Sequence, residues 1–246
     1  MTTLLADLTA DASAVVVLTG AGISTESGIP DFRGPDGLWR DPDLVRLAHV
    51  DALRSEPAAV WAFYAQRFAG VLDGQPNAGH LALAALERSG AVERLVTQNV
   101  DGLHRRAGSD PIEVHGSLAL ARCARCGREV PMAEALERRT AAEDDVPRCD
   151  CGGMLRPGVV MFGEVLPADA VDDAFAAVER CDLLLAAGSS LGVHPIAGLV
   201  EVAQGSGARV AILNRDPTPY DGVADVVDRR PLGESLPELA RRLGAS

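Results

Sequence analysis

The chain has 246 residues, 47% of them hydrophobic, and a formal net charge of −12. That length suits one large domain with a small insert, no apolar run reaches the ~18–20 residues of a membrane span, and the acidic balance excludes a sequence-independent nucleic-acid binder while tolerating Lys-rich peptide partners. All 23 basic residues are Arg, which excludes a Walker-type phosphate loop and Schiff-base catalysis by this chain, and residues 1–14, with two Asp and no basic residue, do not read as a signal peptide, so the expected location is cytoplasmic.

In chain order, residues 7–10 read as the end of a short helix feeding an apolar, β-branched run at 15–18, a buried parallel strand by its pattern. Gly20-Ala21-Gly22 follows at once. A strand, a glycine turn and a helix start stand in the order that brings a dinucleotide pyrophosphate to backbone N–H groups. The third glycine, Gly28, comes six residues after Gly22 rather than three, and the pair alone fits a bare tight turn equally well. Residues 41–70, with Pro42 and Pro57 at helix starts, read as two or three helices outside the main sheet. A turn at 76–80 precedes an amphipathic helix over 81–88, and a strand at 94–97 runs into Gln98-Asn99-Val100-Asp101. Residues 119–154 form an insert with two Cys pairs and an acidic, Ala-rich middle, after which 155–164 is apolar and returns to the main body. Helix 167–178, strand 183–187 ending in Gly188-Ser189-Ser190, helix 196–203 and strand 210–213 ending in Asn214-Arg215 complete the alternation. It predicts an α/β fold with a doubly wound, Rossmann-like parallel sheet.

Ligands of such a sheet bind beyond the carboxyl ends of its strands. Four strands here end in polar or glycine-rich turns, which together offer the N–H groups, hydroxyls, amides and carboxylate that a pyrophosphate, ribose hydroxyls and a carboxamide require; this favours NAD. Cys123-x2-Cys126 and Cys149-x-Cys151, 22 residues apart, suggest a closed four-thiolate Zn²⁺ site, with disulfides as the alternative. The single residue between Cys149 and Cys151 asks for a tight ligand loop, which Gly152 and Gly153 relieve. The fifth cysteine, Cys181, enters an apolar strand and reads as a buried thiol. His49, His80, His104 and His194 have surface or capping readings, and His115, lying before Gly116, would by itself be structural. Tyr64 and Arg67, at i and i+3, share one helix face, and by themselves they would be an aromatic core stripe with a solvated Arg.

Gly20-Ala21-Gly22-Ile23-Ser24, Gly28-Ile29-Pro30-Asp31-Phe32-Arg33-Gly34, Gln98-Asn99-Val100-Asp101 and His115-Gly116-Ser117 together resemble the signature of the sirtuins, NAD-dependent protein deacylases, and the likeness runs to about Leu236. The resemblance implies a Rossmann-like domain over 1–34, 78–118 and 156–246, and a small domain made of a helical part, 35–77, and a zinc-binding part, 119–155. It implies that Gly20, Ala21, Gly22, Gly188, Ser189 and Ser190 hold phosphates and ribose, that Asn214 meets the adenosine ribose, and that Asn99 and Asp101 face the nicotinamide ribose and carboxamide. Phe32 and Arg33 lie on the loop over the labile bond, and Ser24, Asp31, Trp39, Gln98, Arg215 and Leu232 join the cofactor contacts. His115 is the implied general base, with Asn99 beside it in catalysis. Val159, Val160, Phe162, Gly163 and Glu164 resemble the segment on which an extended substrate peptide pairs, a plain buried strand being the alternative. Tyr-x-x-Arg at Tyr64 and Arg67 resembles the branch that accepts acidic acyl groups such as succinyl.

The implied reaction has the acyl oxygen of a protein acyl-lysine attack the ribose carbon that bears nicotinamide. A ribose hydroxyl then attacks the imidate carbon, and water completes the release of free lysine and O-acyl-ADP-ribose, nicotinamide having left. The partners expected are acetyl- and succinyl-lysine side chains, with no nucleic acid and no membrane. Protein ADP-ribosylation and a non-catalytic NAD-sensing module are the rival readings.

Overall fold

A computed structural model describes residues 2–34, 37 and 40–245. Trp39 lies outside the described residues. Helix α1 (Thr2–Ala10) leads into β1 (Val15–Thr19), all five residues of which are buried, as a strand covered on both faces requires. The helix expected after Gly22 is a 3₁₀ helix, Ala21–Ser27. Two short helices and one long one follow: α2 (Pro42–Leu47), α3 (Val50–Ser55) and α4 (Pro57–Asp73). Pro42 and Pro57 open their helices, where a missing N–H costs nothing. Asp41 caps α2 by accepting the Asp43 N–H, and His49 caps α3 by accepting that of Asp51.

Helix α5 (Ala78–Arg88) begins three residues before the predicted start, because Asn77 Oδ1 accepts the N–H groups of Gly79 and His80 while His80 Nδ1 accepts that of Asn77. The expected turn at 76–80 is therefore partly the first turn of this helix. Next come β2 (Arg94–Thr97), α6 (Leu103–Ala107), β3 (Ile112–Glu113), β4 (Gly116–Cys123), β5 (Glu129–Pro131), α7 (Met132–Thr140) and β6 (Leu155–Val159). The chain closes with α8 (Ala168–Glu179), β7 (Leu183–Ala187), α9 (Leu199–Gly205), β8 (Arg209–Leu213), β9 (Val226–Asp228) and α10 (Leu232–Arg242).

Six strands form one parallel sheet in the order β3-β2-β1-β7-β8-β9. One face packs on α5 and α10 through Leu83, Leu86, Leu236 and Leu239, the other on α8 and α9 through Ala174, Val178, Leu199 and Val200. This is the Rossmann-like architecture the alternation predicts. A second, antiparallel sheet has the order β5-β4-β6. The run at 155–164 was expected to return to the main body. Its strand β6 instead pairs with β4, Cys123 opposite Leu155, because its apolar side chains complete a separate core shared with α2–α4. Trp61, fully buried in α4, donates its indole N–H to the Leu155 carbonyl at 3.0 Å and ties the two parts of that core together.

Candidate active site

β2, β1, β7 and β8 are consecutive neighbours, so the four turns singled out in the sequence lie side by side at their carboxyl ends. They line a cleft of about 1070 Å³ that also takes in the loop at 31–34 and the segment 159–166. A Cβ on Gly22 would sit 2.7 Å from the Gly188 carbonyl, and Gly188 holds φ +66° with Ile23 N 2.5 Å from where its own Cβ would be. These glycines let the β1 and β7 turns close on each other, a chain-to-chain approach in addition to the room they leave a ligand. Gly20 is the N-cap of the 3₁₀ helix and supplies no side-chain cap, and the Gly22 N–H that follows donates to the Gly188 carbonyl at 2.8 Å.

Polar side chains cross the floor. Gln98 Nε2 donates to Ser189 Oγ at 2.9 Å, bridging the β2 and β7 turns over β1. Asn99 is buried, its Nδ2 donating to the Gly20 carbonyl at 3.1 Å and to Ser24 Oγ at 3.3 Å, while its Oδ1 has no hydrogen-bond partner. Leaving a buried acceptor unpaired costs about 1–3 kcal/mol, so this oxygen marks a place for a ligand donor, as a ribose hydroxyl or carboxamide N–H supplies. Asp31, Phe32, Arg33, Asn214, Arg215 and Leu232 also line the cleft. Asp31 accepts the Gly34 N–H and lies 3.7 Å from the Arg215 guanidinium, and Asn214 Nδ2 is held by the Asp216 carbonyl at 2.7 Å.

Two predicted contacts stand behind the wall instead of on it. Ser24 Oγ donates to Asp101 Oδ2 at 2.7 Å, and Asp101 Oδ1 accepts the Leu103 N–H at the start of α6. Both oxygens of Asp101 are thereby engaged, and it reaches the cleft through Ser24 and Asn99. The capping reading holds for His80, which completes the α5 capping box, but the surface reading fails for both His80 and His104. Both are buried, with ring centroids 4.8 Å apart, and His104 meets the carboxyl end of β1. His104 Nε2 bonds Thr19 Oγ1 at 2.9 Å, Thr19 Oγ1 donates to Thr97 Oγ1, and Thr97 Oγ1 accepts the Asn99 N–H at 3.1 Å. Sequence reasoning passed over Thr19 and Thr97; a hydroxyl at the last position of two otherwise apolar strands was the available signal.

His115 lines the same cleft as Asn99. Its Nδ1 lies 2.9 Å from the Gln98 carbonyl oxygen. A carbonyl only accepts, so Nδ1 carries the proton and Nε2 presents a lone pair. Burial pushes the imidazole pKa below its ordinary value, with the Gln98 carbonyl opposing, so the ring is neutral at pH 7. The cleft is also lined by Tyr64 and Arg67 from α4 and by Val159, Val160, Phe162, Gly163 and Glu164. Burial raises the Tyr64 pKa, which keeps its O–H a donor, and the half-buried Arg67 guanidinium lies 5.3 Å from the Phe32 ring centroid. Val160 donates its N–H to the His115 carbonyl at 2.9 Å, and Phe162 pairs with the 48–50 stretch.

The four paired cysteines converge at the end of the second sheet, their sulfurs within 4.8 Å of one another. Cys123 and Cys151 are 3.6 Å apart, Cys126 and Cys149 3.8 Å. A tetrahedron of ~2.3 Å Zn–S bonds spaces its sulfurs ~3.8 Å apart, so the cluster is positioned for a structural zinc ion and has no disulfide spacing. The N–H groups of Arg125 and Cys126 point at Cys123 Sγ, as they do at a thiolate. Gly152 adopts φ +80° in the tight Cys-x-Cys loop. Cys181 is a buried free thiol in the main sheet's core.

A nucleotide-type α/β cleft joined to a four-cysteine module defines a narrow class of proteins. The model of the Sir2 family matches residues 20–195, and the chain belongs to that family. It is 46% identical over 237 residues to the NAD-dependent protein deacetylase 2 of Streptomyces coelicolor, covering 94% of this chain and 98% of that one. It is 44% identical over 236 residues to the NAD-dependent protein deacylase 1 of Archaeoglobus fulgidus, covering 95% and 94%. The fold superposes on a structure of Sir2 with a p53 peptide and NAD⁺ with a TM-score of 0.91 at 36% identity, over 99% of each chain. Among the described residues no helix is long and apolar enough to cross a membrane.

Proposed function

We propose that the protein is an NAD-dependent protein-lysine deacylase. The observation that carries this reading is the placing of His115: its Nδ1 proton is tied to Gln98, its Nε2 is bare, and it lines the same cleft as Asn99, whose Oδ1 is unpartnered. Relatives named as NAD-dependent deacetylases and deacylases over nearly the whole chain support it.

NAD, when bound, supplies an electrophilic ribose carbon for the acyl oxygen and a ribose hydroxyl for the acyl group. The β1 and β7 turns with Ser189 and Ser190 take its phosphates and ribose, Asn214 and Leu232 the adenosine end, and Asn99 a donor of the nicotinamide half. Phe32 and Arg33, on a loop against the same cleft, exclude water from the labile bond. His115 Nε2 accepts the ribose hydroxyl proton, and the Gln98 carbonyl steadies the imidazolium that results. The substrate peptide lies along 159–163. The cysteine cluster holds one zinc ion with all four positions filled by protein, so the metal stabilises and does not catalyse.

The acyl preference includes acidic chains. Tyr64 supplies a persistent O–H donor and Arg67 a planar cation on the same cleft wall, a pair suited to a succinyl carboxylate. Acetyl- and succinyl-lysine peptides incubated with NAD, with nicotinamide and product mass read together, test the reading. Equal amounts of nicotinamide, deacylated peptide and O-acyl-ADP-ribose are expected. ADP-ribosylated peptide, or NAD binding without turnover, would replace it with one of its two rivals.

A further inference from the structure

One ion pair on the substrate side has no part in the chemistry above. Arg156, in β6, and Glu164 meet fork to fork, with Arg156 Nη2 2.5 Å from Glu164 Oε2 and Nη1 on Oε1. Both side chains are about 20% exposed. Each also holds main chain. Glu164 Oε2 accepts the Met161 N–H at 2.9 Å, and Arg156 Nη2 donates to the Val159 carbonyl at 3.0 Å. Between them the chain turns. The Glu164 N–H donates to the Met161 carbonyl at 3.1 Å, with Gly163 at φ +84° in the third position, where a type II turn demands it. The Glu164 side chain thus folds back over its own turn and closes it a second time, and Arg156 locks that closure to the preceding strand. Val160 and Phe162 are fixed by other bonds, to His115, Ala48 and Val50. The two main-chain groups interleaved with those, Val159 C=O and Met161 N–H, depend on the ion pair.

We propose that Arg156 and Glu164 are positioning residues for peptide binding: the pair holds 159–163, strand end and turn together, in the shape on which an acyl-lysine peptide docks, and without it the segment must be ordered by the substrate itself. This rests on the reading of 159–163 as the peptide-pairing segment. Ordering a loop at the moment of binding weakens affinity for the ligand that uses it and leaves a ligand bound elsewhere untouched. The cost therefore falls on the peptide and not on NAD.

The test uses the full-length, zinc-loaded chain. Glu164→Ala and Arg156→Met should each raise the acyl-peptide KM about tenfold, the scale of a charged hydrogen bond, with kcat falling much less and the NAD KM staying within about twofold. Because the residues act as one unit, the double variant should be no worse than either single. Glu164→Gln, which keeps an acceptor for Met161 but not the charge, should fall between. Additive single effects, or equal rises in the peptide and NAD KM, overturn the proposal. Amide exchange on the wild-type chain supplies a readout independent of turnover and of whether the variants fold. Met161 should exchange at least about tenfold more slowly than an open loop amide, and an unprotected Met161 overturns the clamp. A wild-type chain that leaves acyl-peptide untouched with Met161 protected would defeat the deacylase reading and not the clamp.

Discussion

Arg67→Met separates an acyl-recognition role from a scaffolding one. The guanidinium lines the cleft with Tyr64, one turn earlier on α4, and it also lies over the Phe32 ring. Its removal has two consequences of different reach. The contact with Phe32 is present whatever the substrate, and a cation–π pair is worth about 0.5–1 kcal/mol where solvent reaches it, so acetyl-lysine turnover should fall by no more than about fivefold. The bond to an acyl carboxylate exists only for succinyl-lysine, and a charged hydrogen bond of about 1.5–3 kcal/mol corresponds to roughly 10- to 150-fold. Steady-state kcat/KM on matched acetyl and succinyl peptides at saturating NAD should therefore show the succinyl-to-acetyl ratio falling at least about tenfold. Arg67→Lys keeps the charge and loses the planar fork, and should recover part of that ratio. An equal loss on both peptides refutes the reasoning, because it would mean that Arg67 supports the Phe32 loop and not the acyl group.

His115→Ala should lower kcat by about 10²- to 10⁴-fold while calorimetry still detects NAD binding; a rate within about threefold of wild type removes His115 from the mechanism. Cys149→Ser should lose the zinc ion and lower the melting temperature through the second sheet's core, to which Cys149 belongs; full zinc content by elemental analysis with unchanged melting would defeat the site. His80 and His104 should make the fold acid-sensitive. Burial depresses both below the ordinary 6.5, Asp101 and Glu26 partly offsetting this at His80, and the His80 charge adding to it at His104. The unfolded chain then binds more protons below pH 6.5, so the stabilisation is full above that pH and lost below it at up to about 1.4 kcal/mol per histidine per pH unit. Melting temperature from pH 7.5 to 5 should fall and the fall should shrink in His104→Asn; a flat wild-type profile would overturn the assignment.

What the sequence discloses about this fold is what is written locally. Val15–Thr19, Arg94–Thr97, Leu183–Ala187 and Arg209–Leu213 are apolar runs closed by polar turns, and the pattern alone places four ligand-facing ends on a parallel sheet. The cysteine spacing is equally local. The destination of β6 is not: it is decided by pairing with β4 across more than thirty residues and by the core that α2–α4 leave open. β9 is three residues long and does not announce itself by periodicity, whereas α10 buries Leu232, Leu236, Leu239 and Ala240 at helical spacing despite Pro237 inside it, a signal that was there to be read. The site shows the same division. Motif residues were found as a set, but their layering was not: Asp101 sits behind Ser24, and Arg156, an isolated charge in an apolar run, holds the turn that Glu164 closes.

The least visible layer also sets a protonation pattern. Thr19 spends its hydroxyl proton on Thr97, so His104 Nε2 must donate to Thr19 and His104 Nδ1 is a bare acceptor, buried and unpartnered. His80 Nδ1 accepts the Asn77 N–H, so its Nε2 carries the proton and is a buried, unpartnered donor. One ring offers a donor and its neighbour an acceptor, with centroids 4.8 Å apart. Protonating His80 at Nδ1 sets a second donor against the Asn77 N–H it now accepts, protonating His104 at Nδ1 removes the pair's unpartnered acceptor, and either places its charge beside the other imidazole. The neutral pair stands directly behind the hydroxyl chain through Thr19 and Thr97 that ends on the Asn99 N–H. A cleft residue is thus linked by hydrogen bonds to a histidine outside the cleft, His104, whose Nε2–H donation to Thr19 is the same in the neutral and the protonated ring.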